Sequence, residues 1–214
     1  MEEMKQFFIK RLDGYDEHML TTVEGCKEAY EMFPRLLPDN TDTLLDLGCG
    51  TGLELKHIFR RFPDLKVTGV DLTKEMLEEL DRKYQDKDIT LVNQSYFDYE
   101  FREEQFDVVI SCETMHHFEY SDKVSLYTKI HNCLKQQGMY IECDYMITSK
   151  EEEEQHYKEN RRLRKELGIK EGEFYHYDTP CTIKTQKELL VDAGFTKIEQ
   201  VFRKENTTIL IAYK

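Results

Sequence analysis

The run Leu44-Leu45-Asp46-Leu47-Gly48-Cys49-Gly50-Thr51-Gly52 constrains this chain more than any other stretch. An apolar strand runs straight into three glycines, and a helical pattern follows from Gly52 to Phe62. Glycine lets the backbone turn where a Cβ would obstruct it, and it lets a ligand approach main-chain N–H groups at a helix start. A second apolar strand, Val67–Val70, ends at Asp71. An acid at that point, about 20 residues past the glycines, is placed to accept hydrogen bonds from a ribose diol. The spacing is GxGxG, not the GxGxxG of dinucleotide sites.

Short apolar runs continue to alternate with helical stretches. A helix is predicted from about Lys74 to Tyr84, a third strand over Ile89–Val92 and a fourth over Phe106–Ser111. The core of the fourth, Val108-Val109-Ile110, suits burial on both faces. A helix from about Asp122 to Leu134 ends near Gly138, and Met139–Cys143 is a fifth strand. Such alternation predicts βαβ units and a parallel sheet covered by helices. The first 40 residues read as helical, with Met19, Leu20, Val23, Tyr30 and Phe33 at helical spacing and Pro34 and Pro38 closing the region. Residues 146–183 form an insertion after the fifth strand. The tail reads as two strands, Lys197–Arg203 and Thr207–Tyr213, whose short connection requires an antiparallel pair. The helix before them is predicted to start at a capping box, Thr185-Gln186-Lys187-Glu188, and to end at Gly194.

At this point the residues resemble a family. LLDLGCGTG followed by VTGVD is similar to the cofactor site of class I S-adenosylmethionine-dependent methyltransferases, and the resemblance runs through FDVVISC at 106–112 and the fifth strand. It implies an α/β fold, a Rossmann-like three-layer αβα sandwich. Its mostly parallel seven-stranded sheet would have an antiparallel last strand, N-terminal helices and a helical lid insertion after strand 5. One domain, 1–214, is expected, with a helical cap over 1–40 and a lid or substrate insertion over 146–183. The resemblance also assigns cofactor roles. Asp46 is the acid two residues before the first glycine. Gly48, Cys49 and Gly50, with Gly52 behind them, pass beside the methionine moiety. Asp71 holds the ribose, and Leu72 lies against the adenine. Gln94 and Ser95 stand where the family reads the adenine edge. Ser111 and Cys112 offer carbonyls, and Tyr15 and Arg11 approach the cofactor's carboxylate. S-adenosyl-L-methionine, leaving S-adenosyl-L-homocysteine, is the expected cofactor.

Ligands in open α/β sheets sit beyond the carboxyl ends of the strands, so segments leaving those ends are candidates for holding the acceptor. His116 and His117 follow the fourth strand, and an imidazole there can take a proton or simply pack. Asp144 and Tyr145 end the fifth strand. In the insertion, a run from Lys150 to Arg162 is acidic early and basic later, which suits a helix dipole on a solvated face. The strip Tyr175-His176-Tyr177-Asp178-Thr179-Pro180 follows. Pro180 keeps Thr179 extended, and alternation sends Tyr175 and Tyr177 one way and His176 and Asp178 the other. The tyrosine face is preferred as the pocket wall; the His176/Asp178 face and a plain packed connection are the alternatives. His116, Asp144 and His176 are thus the candidate catalytic residues, and His117, Tyr145, Tyr175 and Tyr177 the candidate substrate pocket. Their spacing gives no ligand set, so no metal is expected.

Composition narrows the partners. The net charge of −13 over 214 residues repels phosphate backbones and anionic membranes, so nucleic acid and membrane are disfavoured. Six cysteines without a CxxC pair, no apolar signal core and no membrane-length apolar run point to the cytoplasm and reduced thiols. The leading expectation is methyl transfer to a small molecule by a monomer or homodimer. The alternatives are a tRNA or protein methyltransferase, a NAD(P) oxidoreductase, a non-catalytic cofactor binder, and an enzyme that remodels S-adenosylmethionine. The last is raised because the late insertion and TIKTQKELLVDAGF resemble wobble-uridine carboxymethyl-donor synthases.

Overall fold

Strand β2 (Thr43–Leu47) has no exposed apolar face. Leu44 is buried in one half of the core, and Leu45 and Leu47 in the other. A strand with apolar side chains on both faces must be covered on both, and the rest of the chain supplies two helical layers. The computed structural model describes residues 1–214. Before β2 come β1 (Glu2–Glu3), α1 (Met4–Arg11), α2 (Tyr15–Thr21) and α3 (Cys26–Leu36). After it come α4 (Leu55–Arg61), β3 (Lys66–Asp71), α5 (Lys74–Lys83), β4 (Ile89–Asn93) and β5 (Phe106–Cys112). Then follow α6 (Tyr120–Cys133), β6 (Leu134–Ile147), α7 (Lys150–Leu167), β7 (Tyr175–His176) and β8 (Cys181–Thr182). The chain ends with α8 (Ile183–Asp192), β9 (Lys197–Lys204) and β10 (Thr207–Tyr213).

The strands lie in the order β4-β3-β2-β5-β6-β10-β9, with β8 attached beside the end of β6. Neighbours from β4 to β6 are parallel; β10 runs antiparallel to both β6 and β9. This is the expected mostly parallel sheet with a reversed last strand. Chain order reverses between β2 and β5, which opens a crevice at their carboxyl ends. One face is covered by α3, α4 and α5, the other by α6 and α8. Helix α3 shows why: Cys26, Ala29, Tyr30 and Phe33 fall on one stripe and are all buried. No helix is long and apolar enough to cross a membrane.

Several boundaries differ from the sequence expectation, among them β6, which runs over Leu134–Ile147 and not only Met139–Cys143. Helix α4 starts at Leu55, not Gly52, because Gly52 has φ +72°, which a right-handed helix does not admit. Pro34 lies inside α3, in its last turn, where its missing N–H removes one bond; Leu37 ends the helix because Pro38 holds it extended. The cap of α8 is Thr182, whose Oγ1 accepts from Thr185 N at 3.2 Å, one turn before the expected box.

The insertion divides in two. Its helix α7 packs Glu153, Tyr157 and Asn160 inward, on the face formed by α6 and β8. Its second half doubles back to the N-terminus. β7 pairs antiparallel with β1 (Glu2 opposite His176, Glu3 opposite Tyr175), and Met4 N donates to Phe174 O at 2.9 Å.

Candidate functional site

The glycine loop is held by main-chain bonds that leave its turn open to the crevice. Gly48 N donates to Val70 O at 2.8 Å, and Gly52 N to Cys49 O at 2.8 Å. Gly48 and Gly50 have φ +72° and +48°; a Cβ on Gly48 would stand 2.9 Å from Thr114 Oγ1. Asp71 accepts from Gly50 N at 2.9 Å and Thr73 N at 2.7 Å, so its carboxylate braces the loop and the start of α5 together. Burial pushes the Asp71 carboxyl up, against these donors. Asp16 on α2 bonds Thr51 and Lys83, and this fastens the N-terminal helices to the same loop.

Beyond the loop lies a crevice whose empty space, open to solvent on one side, is about 650 Å³. Gly48, Gly50, Asp71, Leu72, Ser95 and Cys112 line it, together with Tyr15 from α2. The remaining wall was not foreseen from sequence. It comprises Met4 and Phe8 of α1, Thr73 and Met76, Tyr96 and Phe97, Glu113 and Thr114, and Phe118 and Phe174. Tyr96 and Phe97 immediately follow Ser95 and are the part a closer reading of that segment could have found. The N-terminal residues carry no signal for it, because only the pairing of β1 with β7 brings α1 there.

Several expected cofactor residues do not line this crevice. Asp46 is 1% exposed and faces Glu54; neither Asp46 oxygen has a hydrogen-bond partner. Burial and the charge of Glu54 hold the Asp46 carboxyl well above its ordinary range, behind the loop. Cys49 points back onto Gly69, and Gly52 packs on Leu80 and Tyr84. Gln94 lies outside the wall, and Ser111 Oγ is 2.6 Å from Tyr140 OH, inside the core. Arg11 lines the neighbouring chamber instead.

That chamber, about 1040 Å³ and more open, shares Phe8, Tyr15, Glu113 and His117 with the crevice. Phe7, Lys10, Arg11, His18, His116, His176 and Asp178 complete much of its wall. The adjacent pair His116–His117 sits on a single tight turn, Met115–His117, after β5. Both rings are buried and their centroids are 4.0 Å apart, so the two do not diverge as neighbours on a strand would. His116 Nδ1 lies 2.6 Å from Asp144 Oδ1. Burial works against the charged imidazole of His116, but the Asp144 carboxylate outweighs it and lifts its pKa to about 9. Burial, aided by the charge on His116, pushes His117 down to about 4. Burial pushes the Glu113 carboxyl up to about 7, with Asp144 adding to it. A carboxyl there suits proton exchange near neutral pH.

The strip 175–180 is turned opposite to the preferred expectation. His176 and Asp178 line the chamber, whereas Tyr175 and Tyr177 do not. Tyr175 faces an outer groove with Arg161 and Arg164, and Tyr177 approaches His156. The register is imposed from outside the strip. Glu3 stands opposite Tyr175, Thr179 Oγ1 donates to His116 O at 2.9 Å, and the His176 ring stacks on Phe7 with centroids 3.4 Å apart. Tyr145 sits behind His116, edge to face at 5.7 Å, and lines neither cavity. Asp144 is 2% exposed and touches the site only through His116.

Comparison with known proteins agrees with this geometry. Residues 44–138 match the family model described as a methyltransferase domain. Carboxy-S-adenosyl-L-methionine synthase of Nautilia profundicola is 24% identical over 237 residues, covering 100% of this chain and 96% of that protein. The putative methyltransferase solved with the Haloferax volcanii Trm112 activator has TM-score 0.71 at 15% identity, covering 100% of this chain and 98% of that one. Haemonchus contortus phosphoethanolamine N-methyltransferase 2, solved with S-adenosyl-L-methionine, has TM-score 0.64 at 20% identity, covering 88% of this chain and 52% of that one.

Proposed function

We propose that this chain, whose residues 44–138 match the methyltransferase-domain family model, is a class I S-adenosylmethionine-dependent methyltransferase and transfers the cofactor's methyl group to a small molecule seated in the histidine-lined chamber. The observation that carries this is the shared wall: an acceptor in the chamber meets the cofactor crevice at Phe8, Tyr15, Glu113 and His117. S-adenosylmethionine supplies an electrophilic methyl carbon on a sulfonium. The chain's own residues do the rest. Asp71 holds the ribose at the nucleoside end, with Leu72, Met76 and Phe97 against its flat base, and the Gly48–Gly50 backbone passes beside the methionine part. Phe8, Tyr15 and Phe118 exclude water, and Tyr15 offers its ring to the positive sulfur. Glu113, on both walls, is the residue assigned to receive the acceptor's proton. His116, oriented by Asp144, and His176 orient the acceptor. Positioning of this kind supplies most of what an in-line displacement needs.

Calorimetry with S-adenosylmethionine tests the first half. Wild type is expected to bind, Asp71→Ala to lose binding, and Asp71→Asn to keep part of it. Release of S-adenosylhomocysteine in the presence of pooled small acids, phenols and thiols tests the second. Glu113→Gln is expected to lower turnover about 10²-fold or more with cofactor binding retained. If no acceptor in any pool yields product, the proposal fails.

A second reading, remodelling of the cofactor itself, is favoured by one observation: the similarity to the carboxy-S-adenosyl-L-methionine synthase spans the whole chain. Mass spectrometry of the cofactor after incubation with candidate carboxyl donors separates the two, since only this reading yields a carboxylated cofactor.

A further inference from the structure

Asp178 Oδ1 sits at the meeting point of three imidazoles: 3.4 Å from His117 Nδ1, 3.8 Å from His116 Nε2 and 3.7 Å from His176 Nε2. These gaps are too long for ordinary hydrogen bonds and too short to admit a bridging water. Accordingly, both Asp178 Oδ1 and His117 Nδ1 are buried atoms without a hydrogen-bond partner. Buried polar atoms are rarely left unpaired unless something else satisfies them. A tetrahedral cation with bonds of about 2.0–2.1 Å holds its ligand atoms roughly 3.3–3.4 Å apart, which is close to the spacing found.

We propose that His116 Nε2, His117 Nδ1 and Asp178 Oδ1 form a three-ligand site for a divalent transition cation of the zinc class, with its fourth position open to the acceptor chamber. The three atoms lie within 4.8 Å of one another. The surroundings are those of a metal site. Asp144 binds His116 Nδ1 at 2.6 Å, so Nε2 is the nitrogen that gives up its proton to a cation; carboxylates orient ligating histidines in this way. His176, stacked on Phe7, has its Nε2 3.7 Å from Asp178 Oδ1. In the alternative grouping of Glu113, His116 and Asp144, the Asp144 carboxylate is already engaged by His116 Nδ1 at 2.6 Å. Two imidazoles and one carboxylate suit a borderline cation rather than Mg²⁺ or Ca²⁺. Three protein ligands with an open fourth position is the arrangement of catalytic rather than structural zinc. In its role this deepens the acceptor-chamber reading and rests on it, but binding is measured with neither cofactor nor acceptor present, so each can fail without the other.

The full-length protein, stripped with chelator and dialysed, is titrated with Zn²⁺ by calorimetry and with Co²⁺ by absorption. One equivalent is expected to bind, with a cobalt spectrum of four-coordinate type and no thiolate charge-transfer band. His117→Gln and Asp178→Asn are expected to abolish stoichiometric binding. Asp144→Asn, a change at a positioning residue, should weaken it about 10–100-fold. Absence of binding by wild type overturns the proposal. So does a thiolate band, which would place the metal on cysteines, or unchanged stoichiometry in folded Asp178→Asn. The wild-type cobalt spectrum decides the matter even if a variant does not fold.

Discussion

Gly48 and Gly50 look alike in sequence but differ in what surrounds them. Both adopt left-handed backbone, yet a Cβ on Gly50 would meet nothing nearer than Gly48 O at 4.0 Å, while one on Gly48 would press on Thr114 Oγ1 at 2.9 Å. Gly50→Ala is therefore expected to cost about 1–2 kcal/mol, the left-handed penalty alone. Gly48→Ala is expected to cost more, because Thr114 must also move away from Tyr96 OH, 2.9 Å from its hydroxyl. Thermal melts of the two variants check the order; equal losses would show that the wall at Thr114 yields freely. The same residue scale explains Asp46. Its place before the glycines is legible in sequence, but its burial against Glu54 is not, because α4 brings Glu54 there.

Helix α8 shows how an element's start is settled by a side chain outside the obvious pattern. Thr182 caps it through Thr185 N, and Thr182's own N–H donates to Glu153 Oε2 at 2.7 Å, so the cap also ties α8 to α7. Thr182→Ala is expected to lose about 1 kcal/mol, and Thr182→Ser to recover most of it, as read by denaturant unfolding. The strip 175–178 is the other case. Its two-residue alternation is a local property, and the sequence conveys it. Which face turns inward depends on β1, more than 170 residues away in the chain. His176→Ala and Tyr177→Phe, assayed with an identified acceptor, are expected to separate: the first lowers turnover, the second leaves it within about twofold. A silent His176→Ala would remove that residue from the proposed site.

At the scale of the molecule, two buried glutamates give opposite pH dependences. Glu142 on β6 accepts from Gln186 Nε2 at 2.7 Å and lies near Tyr127, Tyr140, Asp144 and Lys123. Burial, with the charge of Asp144 adding to it, pushes its carboxyl up to about 8. Between the ordinary glutamate range and pH 8 the folded state holds a proton that the unfolded chain releases, so stability falls as pH rises through that window. Glu153 is lowered: burial opposes its charge, but Lys150, Tyr120 and Thr182 N prevail. Its stabilisation is present above the ordinary range and is lost as pH falls. Glu142→Gln is expected to flatten the decline toward pH 8 and to raise Tm at pH 8.5 by about 2–4 °C. An unchanged slope in pH-dependent melts would locate the titration elsewhere.

What the sequence determined was whatever depends on local periodicity and backbone freedom. The strand–glycine–helix turn, the acid at Asp71, the alternation that makes a parallel sheet and the reversed terminal pair all depend on neighbours within a few residues. Tertiary structure decided what faces what. The crevice wall includes α1 because β1 pairs with β7, and the histidines converge because one tight turn after β5 meets a strip returning from the far side of α7. Side chains far apart in sequence share a cavity only once the sheet order and the burial of both its faces have fixed the path of every connection, and no window of sequence holds that information.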